Sequence, residues 1–126
     1  MNGLHLIADL HDCRCPPARL LDAASLEADC VAACQSHGLT VVGRLFHAFR
    51  DDAGQPAGVT GTVVLAESHL AVHTWPEIGA VTLDVYVCNF SGDNSQRAEA
   101  LFAEIIGRFQ PGRGERRAVR RGQLGG

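Results

Sequence analysis

Four side chains capable of chemistry lie close together in the middle of the sequence. Glu67 and Ser68 follow the apolar run 63–66, and His69 and His73 come shortly after them. A serine hydroxyl becomes a nucleophile when a neighbouring base takes its proton, and histidine does this near neutral pH. If the chain turns back after Ser68, the imidazole of His73 would reach that hydroxyl. The spacing therefore predicts a site of nucleophilic or acid–base chemistry at Ser68.

Each of these residues also has a purely structural explanation. A serine after a strand is commonly a turn residue, and a buried histidine commonly bonds a backbone carbonyl. No G-x-S-x-G sequence surrounds Ser68, which argues against an ordinary serine hydrolase. Cys88 ends a predicted strand on its polar face, where it is either a small buried thiol or a group that donates and accepts a proton.

Hydrophobic periodicity predicts the elements that hold these side chains. Alternation predicts strands at residues 3–10, 39–49, 59–66 and 80–88. A 3.6-residue period predicts helices over 22–37 and 95–109. Between them we predict a polar segment over 67–77 and, after Gly112, an edge strand or a loose tail. The order predicts an α+β fold, a two-layer sandwich in which two helices pack on one face of an antiparallel sheet.

Composition limits the classes of function. The chain of 126 residues is predicted to form one domain, and its net charge of −3 argues against nucleic-acid binding. The basic run 113–121 is the exception, and we interpret it as a solvated edge or tail rather than a nucleic-acid arm. Neither a membrane span nor a signal peptide is predicted. Five cysteines without a secretion signal indicate free thiols and a cytoplasmic location.

A metal-binding domain without catalytic activity is the main alternative from the residues alone. Two cysteine pairs with three histidines nearby could together supply the four ligands of a zinc ion; the candidates are Cys13, Cys15, Cys30, Cys34, His5, His11 and His37. The spacing differs from the usual C-x₂-C zinc motif, and Cys30 and Cys34 also suit the apolar face of the first helix. We therefore predict no metal.

Four ordered motifs resemble one known family. They are GVTG at 58–61, AESH at 66–69, HTWPE at 73–77 and DVYVC at 84–88, and weaker similarity covers 3–6 and 46–49. As a set they resemble the small prokaryotic S-adenosylmethionine decarboxylases, which are pyruvoyl enzymes of polyamine synthesis. A match of several motifs in order is far more specific than any one of them.

The resemblance implies that the chain cuts itself. The Ser68 hydroxyl would attack the Glu67 carbonyl with help from Thr60 and His73, and His73 would accept the α-proton of Ser68. β-Elimination would leave a pyruvoyl group in place of Ser68. The products would be a β chain of residues 1–67 and an α chain of 68–126, in which 113–126 would form the tail if no edge strand is present.

The resemblance also implies how the product works. The pyruvoyl group would be the cofactor, without PLP or metal, and would form a Schiff base with the substrate amine and take up electrons as CO₂ leaves. Cys88 would return a proton to the substrate. Phe49 would stack on the adenine, and Glu67 and Glu77 would face the substrate. The family implies a homodimer of cleaved chains.

Two departures from the family pattern bear on the substrate. The link between the FHAF and GVTG motifs is longer than usual and carries Arg50, Asp51 and Asp52, and Asn89 replaces a usual glycine after Cys88. An acidic pair in that link could bind an ammonium or guanidinium group. Because Phe49 and Glu77 are retained, the resemblance favours S-adenosylmethionine as the substrate, and the changed link leaves ornithine or arginine as the alternative.

Overall fold

A computed structural model of the chain describes residues 2–90 and 92–122. All six strands lie in one antiparallel sheet with the order β2-β3-β4-β5-β1-β6. The elements are, in chain order, β1 (Gly3–Cys13), α1 (Ala18–Leu21), α2 (Ala23–Ser36), β2 (Val41–Arg50), β3 (Pro56–Leu65), β4 (Ser68–Trp75), a 3₁₀ turn (Pro76–Ile78), β5 (Ala80–Cys88), α3 (Ser95–Phe109) and β6 (Pro111–Arg121).

The helices and one face of the sheet form a single core. Alternate residues of β1, β3, β4 and β5, such as Leu6, Leu70 and Val85, are buried against the apolar sides of α2 and α3. The α3 side contributes Leu101 and Phe109. Burial of side chains of this size stabilises a fold by about 1.5–3 kcal/mol each. The predicted two-layer α+β sandwich is confirmed.

Local signals placed most element boundaries correctly. Asp22 caps α2 by accepting a hydrogen bond from the backbone of Ser25, and Gly38 follows the helix with a left-handed φ of 79°. The Phe46 ring packs directly against Gly61, where any side chain would clash with it. The short helix α1 was not predicted, because four residues are too few to show a period.

The prediction for the centre of the chain was wrong in one respect. Residues 68–75 form strand β4, whereas we predicted a polar segment without regular structure. Leu70, Val72 and Thr74 are buried and alternate with His69 and His73 on the other side. The alternation is that of a strand with one buried face, and its histidines lie on the face away from the helices.

That second face of the sheet, the open face, carries no helix in the described part of the chain. Several large apolar side chains on it are exposed; Leu45 is 75% and Phe49 47% accessible. Strand register places polar residues beside them, including Thr60, His73 and Asp84. A face with this mixture of apolar and polar groups is typical of an interface or a binding site.

The basic run 113–121 lies in the edge strand β6, which extends to Arg121, so this part of the chain is not a loose tail. Residues 123–126 lie outside the described part. β6 pairs with β1 along one side and leaves its other side unpaired. Charged residues on an edge strand oppose pairing with another sheet. The arginines therefore have a structural role at this edge. No helix among the described residues is long and apolar enough to cross a membrane.

Candidate active site

Ser68 and Cys88 meet at one end of the sheet. Ser68 is the first residue of β4 and Cys88 the last of β5, and these strands are neighbours. The backbone N–H of Cys88 donates a hydrogen bond to Ser68 Oγ at 3.2 Å. Both residues are buried, with 9% and 7% of their surface accessible. Tertiary structure thus brings together the predicted nucleophile and the predicted proton donor, which lie 20 residues apart in sequence.

The peptide bond before Ser68 lies in a strained turn. Ala66 and Glu67 connect β3 to β4, and Leu65 pairs with Ser68 across the turn. Glu67 has a φ of 63°, in the left-handed region that disfavours residues with a Cβ atom. The cost of that conformation is about 1–2 kcal/mol. The predicted cleavage position therefore follows a residue in an unfavourable backbone conformation.

Thr60 and His73 form a second polar pair on the open face. They are direct partners in the β3–β4 ladder, and a hydrogen bond of 3.1 Å joins Thr60 Oγ1 to His73 Nδ1. His47 lies opposite Thr60 on β2, and the Trp75 ring centroid is 6.1 Å from that of His73. The hydroxyl fixes the orientation of the imidazole, so His73 is held as a candidate base.

These two pairs are far apart within one chain. β4 runs without interruption from Ser68 to Trp75, so the turn after Ser68 that would bring His73 to its hydroxyl does not exist. Five residues of strand separate Ser68 from His73, a distance of about 17 Å, and odd spacing places their side chains on opposite faces. His73 therefore does not reach Ser68 of its own chain.

The predicted substrate-binding residues divide between the two ends. Phe49 lies at the His73 end, where its ring contacts His47 edge-on with centroids 4.6 Å apart. Glu77 follows β4 in the 3₁₀ turn and lines a depression of about 390 Å³ together with Asp51 and Pro56. Glu67 lies at the Ser68 end. No single site within one chain contains all three.

The long link between β2 and β3 is a hairpin loop whose own charged side chains form hydrogen bonds within it. Asp51 Oδ1 accepts hydrogen bonds from the backbone N–H groups of Ala53 and Gln55, each at 2.9 Å. Arg50 donates to the Gly54 carbonyl at 3.0 Å. Asp51 therefore closes the loop, which weakens the idea that Asp51 and Asp52 together bind a basic substrate.

Asn89 ties the end of β5 to the start of α3. Its backbone N–H donates to the Asn2 carbonyl at 2.7 Å, and its side-chain oxygen accepts from the backbone of Asn94 at 2.9 Å. Asn94 in turn donates to the Cys88 carbonyl at 3.1 Å. Of these three bonds, a glycine at position 89 would lose the one that the Asn89 side chain accepts from the backbone of Asn94.

Sequence reasoning missed a cluster of polar residues beside the Ser68 end. Asp84 Oδ2 accepts hydrogen bonds from His5 Nε2 at 2.9 Å and His69 Nε2 at 2.7 Å. Arg121 donates to His5 Nδ1 at 2.9 Å, and its guanidinium lies 5.4 Å from the centre of the Tyr86 ring. Burial alone would raise the pKa of Asp84, but the bonds from His69 and His5 hold that pKa below its usual value. We call Arg121, His5, Asp84 and His69 the Asp84 cluster.

The cysteines do not form the metal site of the alternative hypothesis. Among the described residues the only group of three candidate ligands is His5, His69 and Asp84. All five cysteines are free, and burial raises the pKa of both Cys30 and Cys34 to about 12. Those two thiols belong to the core, and no described cysteine lies in a group of three candidate ligands.

Comparison with known proteins agrees with this geometry. The S-adenosylmethionine decarboxylase family matches residues 4–122. The chain is 41% identical over 100 residues to the S-adenosylmethionine decarboxylase proenzyme of Parasynechococcus marenigrum, covering 79% of this chain and 70% of the relative. It is 39% identical over 121 residues to the proenzyme of the same name from Picrophilus torridus, covering 95% and 84% of the two chains.

A solved structure extends the likeness to the fold. The crystal structure of the adenosylmethionine decarboxylase from Aquifex aeolicus aligns with a TM-score of 0.81 at 33% sequence identity, covering 97% of this chain and 92% of that one. The family match spans nearly the whole described chain and includes both ends of β4. The chain therefore belongs to the S-adenosylmethionine decarboxylase family.

Proposed function

We propose that this chain is a proenzyme that cuts itself between Glu67 and Ser68 and then decarboxylates S-adenosylmethionine. The relatives named as proenzymes of that decarboxylase support both parts. The observation that carries the proposal is the position of Ser68, buried at the start of β4 against Cys88 and directly after the strained Glu67. Nothing in an ordinary hairpin requires that combination.

The cleavage uses only atoms of the chain and one water. Ser68 Oγ attacks the Glu67 carbonyl, and the acyl group moves from nitrogen to oxygen, which frees the amine of residue 68. Loss of the α-proton to His73 expels the Glu67 carboxylate by β-elimination. Hydrolysis of the resulting enamine, after tautomerisation, releases ammonia and leaves the pyruvoyl group. Strain at Glu67 favours the step because breaking the bond releases it.

The surroundings of residue 68 fit a pyruvoyl group. The position is buried and begins a strand, and a backbone N–H already points at its side-chain oxygen. When present, the group supplies a ketone that takes up the electrons left when a carboxylate departs. Cys88 lies beside residue 68 and returns a proton to the substrate carbon.

A complete site requires a second copy of the chain. Because β4 holds His73 about 17 Å from Ser68, the base must come from elsewhere. Two copies packed open face to open face about a two-fold axis would place the two ends of β4 opposite each other and set His73, Thr60 and Phe49 of one copy beside the Ser68 end of the other. The exposed apolar residues of that face supply surface for such a dimer. We therefore propose a homodimer that shares its two sites.

S-adenosylmethionine fits better than a basic amino acid. Phe49 is a half-exposed aromatic ring on the open face and can stack on an adenine. The side-chain ammonium of ornithine or guanidinium of arginine, unlike the sulfonium of S-adenosylmethionine, would need carboxylates to accept its N–H hydrogen bonds. Asp51 already accepts two backbone hydrogen bonds. The alternative therefore rests on Asp52 and Glu77 alone.

Three measurements test the proposal. A denaturing gel should show fragments of 1–67 and 68–126, and mass spectrometry should find a pyruvoyl group on the second. CO₂ release should be largest with S-adenosylmethionine in a panel with ornithine, arginine and lysine. A permanently intact chain would refute self-processing, and faster turnover of a basic amino acid would refute the substrate.

The dimer has a separate test. Leu45→Glu places a charge on the open face and should shift the sedimentation of the protein toward a monomer. Val42→Glu is the matched control, because Val42 is also exposed but lines a depression beside Gln35 of α2. Equal dimerisation of both variants would contradict an interface through the open face.

A further inference from the structure

The Asp84 cluster crosses four strands directly behind the proposed cleavage position. Arg121 is on β6, His5 on β1, Asp84 on β5 and His69 on β4, and these strands are consecutive in the sheet. His5 and His69 both pair with Tyr86 in the ladders, and both of their rings lie next to the Tyr86 ring. Both histidines also bond the same carboxylate oxygen of Asp84. The cluster therefore links the start of β4 to the far edge of the sheet.

Arg121 determines where the protons are. Arginine only donates hydrogen bonds, so Nδ1 of His5 must accept the bond from Arg121. The proton of a neutral His5 is then on Nε2, from which it is donated to Asp84. In this arrangement the cluster is a hydrogen-bonded chain that runs from Arg121 through His5 and Asp84 to His69.

His69 occupies a special position in the proposed reaction. Its backbone nitrogen is bonded to residue 68, so after cleavage it carries the pyruvoyl group. Before cleavage, the turn at Ala66 and Glu67 holds the start of β4 against β3. After cleavage the same end becomes a chain terminus, and termini fray unless other contacts hold them.

We propose that Asp84 is a positioning residue that, by binding His69, keeps the newly formed end of β4 in place after the 67–68 bond breaks. The inference rests on the proposed self-processing. Asp84 itself lies too far along β5 from residue 68 to be a catalytic group, since four residues separate it from Cys88. Its effect reaches the pyruvoyl group only through the orientation of residue 69.

The test compares Asp84→Asn in two backgrounds by hydrogen–deuterium exchange of the segment 69–75. In cleaved protein we expect exchange at the start of β4 to increase about tenfold, which corresponds to ~1.4 kcal/mol of local opening. In the uncleavable Ser68→Ala background the turn still holds the strand, so the same substitution should change exchange little. Cleavage itself should proceed, and kcat should fall more than KM changes.

Glu104→Gln is the matched control. It breaks a bond of the same kind and length, from His37 Nε2 to Glu104 Oε1 at 2.9 Å, between the two long helices and away from β4. It should leave exchange of 69–75 unchanged in both backgrounds. If Asp84→Asn fails to fold, His69→Gln breaks the same bond and replaces it in the comparison.

The outcomes separate the inference from the proposed function. An uncleaved wild-type chain on the gel would refute self-processing, whatever Asp84 does. Equal exchange in wild-type and Asp84→Asn proteins after cleavage would overturn the positioning role while leaving self-processing intact. An equal increase in both backgrounds would also overturn it, because the residue would then stabilise the sheet in general.

Discussion

The two ends of β4 differ in almost every respect that matters for chemistry. At its first residue Ser68 is buried, follows a strained turn and is hydrogen-bonded to the backbone of Cys88. Near its last residue His73 lies on the open face, bonded to Thr60 and next to exposed aromatic rings. In the proposed reaction one end offers the bond to be broken, and the other offers the base. A single strand is rigid, so it carries both and prevents them from meeting in one chain.

The largest expected effect is at the Ser68 end. Ser68→Ala removes the only oxygen that can attack the Glu67 carbonyl, so the chain should remain one intact band and lack decarboxylase activity. Ser25→Ala, an exposed serine of α2, is the control and should cleave normally. Two fragments from the Ser68→Ala protein would show that the chemistry at this end was misassigned.

The His73 end is tested by mixing two inactive chains. His73→Ala and Ser68→Ala proteins should each stay uncleaved when expressed alone. Co-expressed with distinguishable tags, they form mixed dimers in which one site has both Ser68 and the partner's His73. Random pairing in a two-fold dimer then predicts cleavage of about a quarter of all chains, and only of the His73→Ala chains. Absence of any cleavage would contradict a shared site.

Cys88 should separate processing from decarboxylation. Cys88→Ala keeps the backbone N–H that bonds Ser68, so the chain should still cut itself. Turnover should fall by about 10²–10³-fold because the proton donor is lost. Cys13→Ala, a partly exposed thiol at the end of β1, should keep full activity. Unchanged turnover in Cys88→Ala would remove this thiol from the mechanism.

A smaller effect concerns pH and the cluster that supports the Ser68 end. The folded-state pKa of Asp84 lies below its usual value, because bonds from His69 and His5 outweigh burial. Its stabilisation is therefore present above the ordinary aspartate pKa and is lost as pH falls through the lowered folded value. Urea unfolding of the cleaved protein, compared at one protein concentration, should show Asp84→Asn to be about 1–2 kcal/mol less stable at pH 7. The difference in unfolding free energy should shrink in acid. A difference that stays constant with pH would contradict a contribution from ionised Asp84.

The smallest expected effect is that of strain at Glu67. Glu67→Gly should adopt the φ of 63° without cost and raise the unfolding free energy of the uncleavable precursor by about 1 kcal/mol or less. In the cleavable chain it should slow processing, measured as band conversion with time. Glu67→Ala is the control, because it loses the same side chain and keeps the strain. Equal stability of the two variants would show that the turn stores no strain.

Local patterns were sufficient for much of the fold. The bounds of β5 and α3 were predicted to the residue, because clear alternation and a clear helical stripe reach both ends. β4 was not predicted although Leu70 and Val72 alternate with polar residues, because a serine and two histidines make the segment look like a polar loop. A strand with one open face carries such residues without losing its pattern.

By itself the sequence determined the family, the proposed cleavage position and the residue types that the proposed chemistry needs, since those follow from motifs of a few consecutive residues. Only the tertiary structure decided which of them meet. Strand register set Cys88 against Ser68, gathered His5 and Asp84 from positions 79 residues apart, and held His73 away from Ser68. Contacts across a sheet depend on which strands are neighbours and in what register, and no short stretch of sequence contains that information.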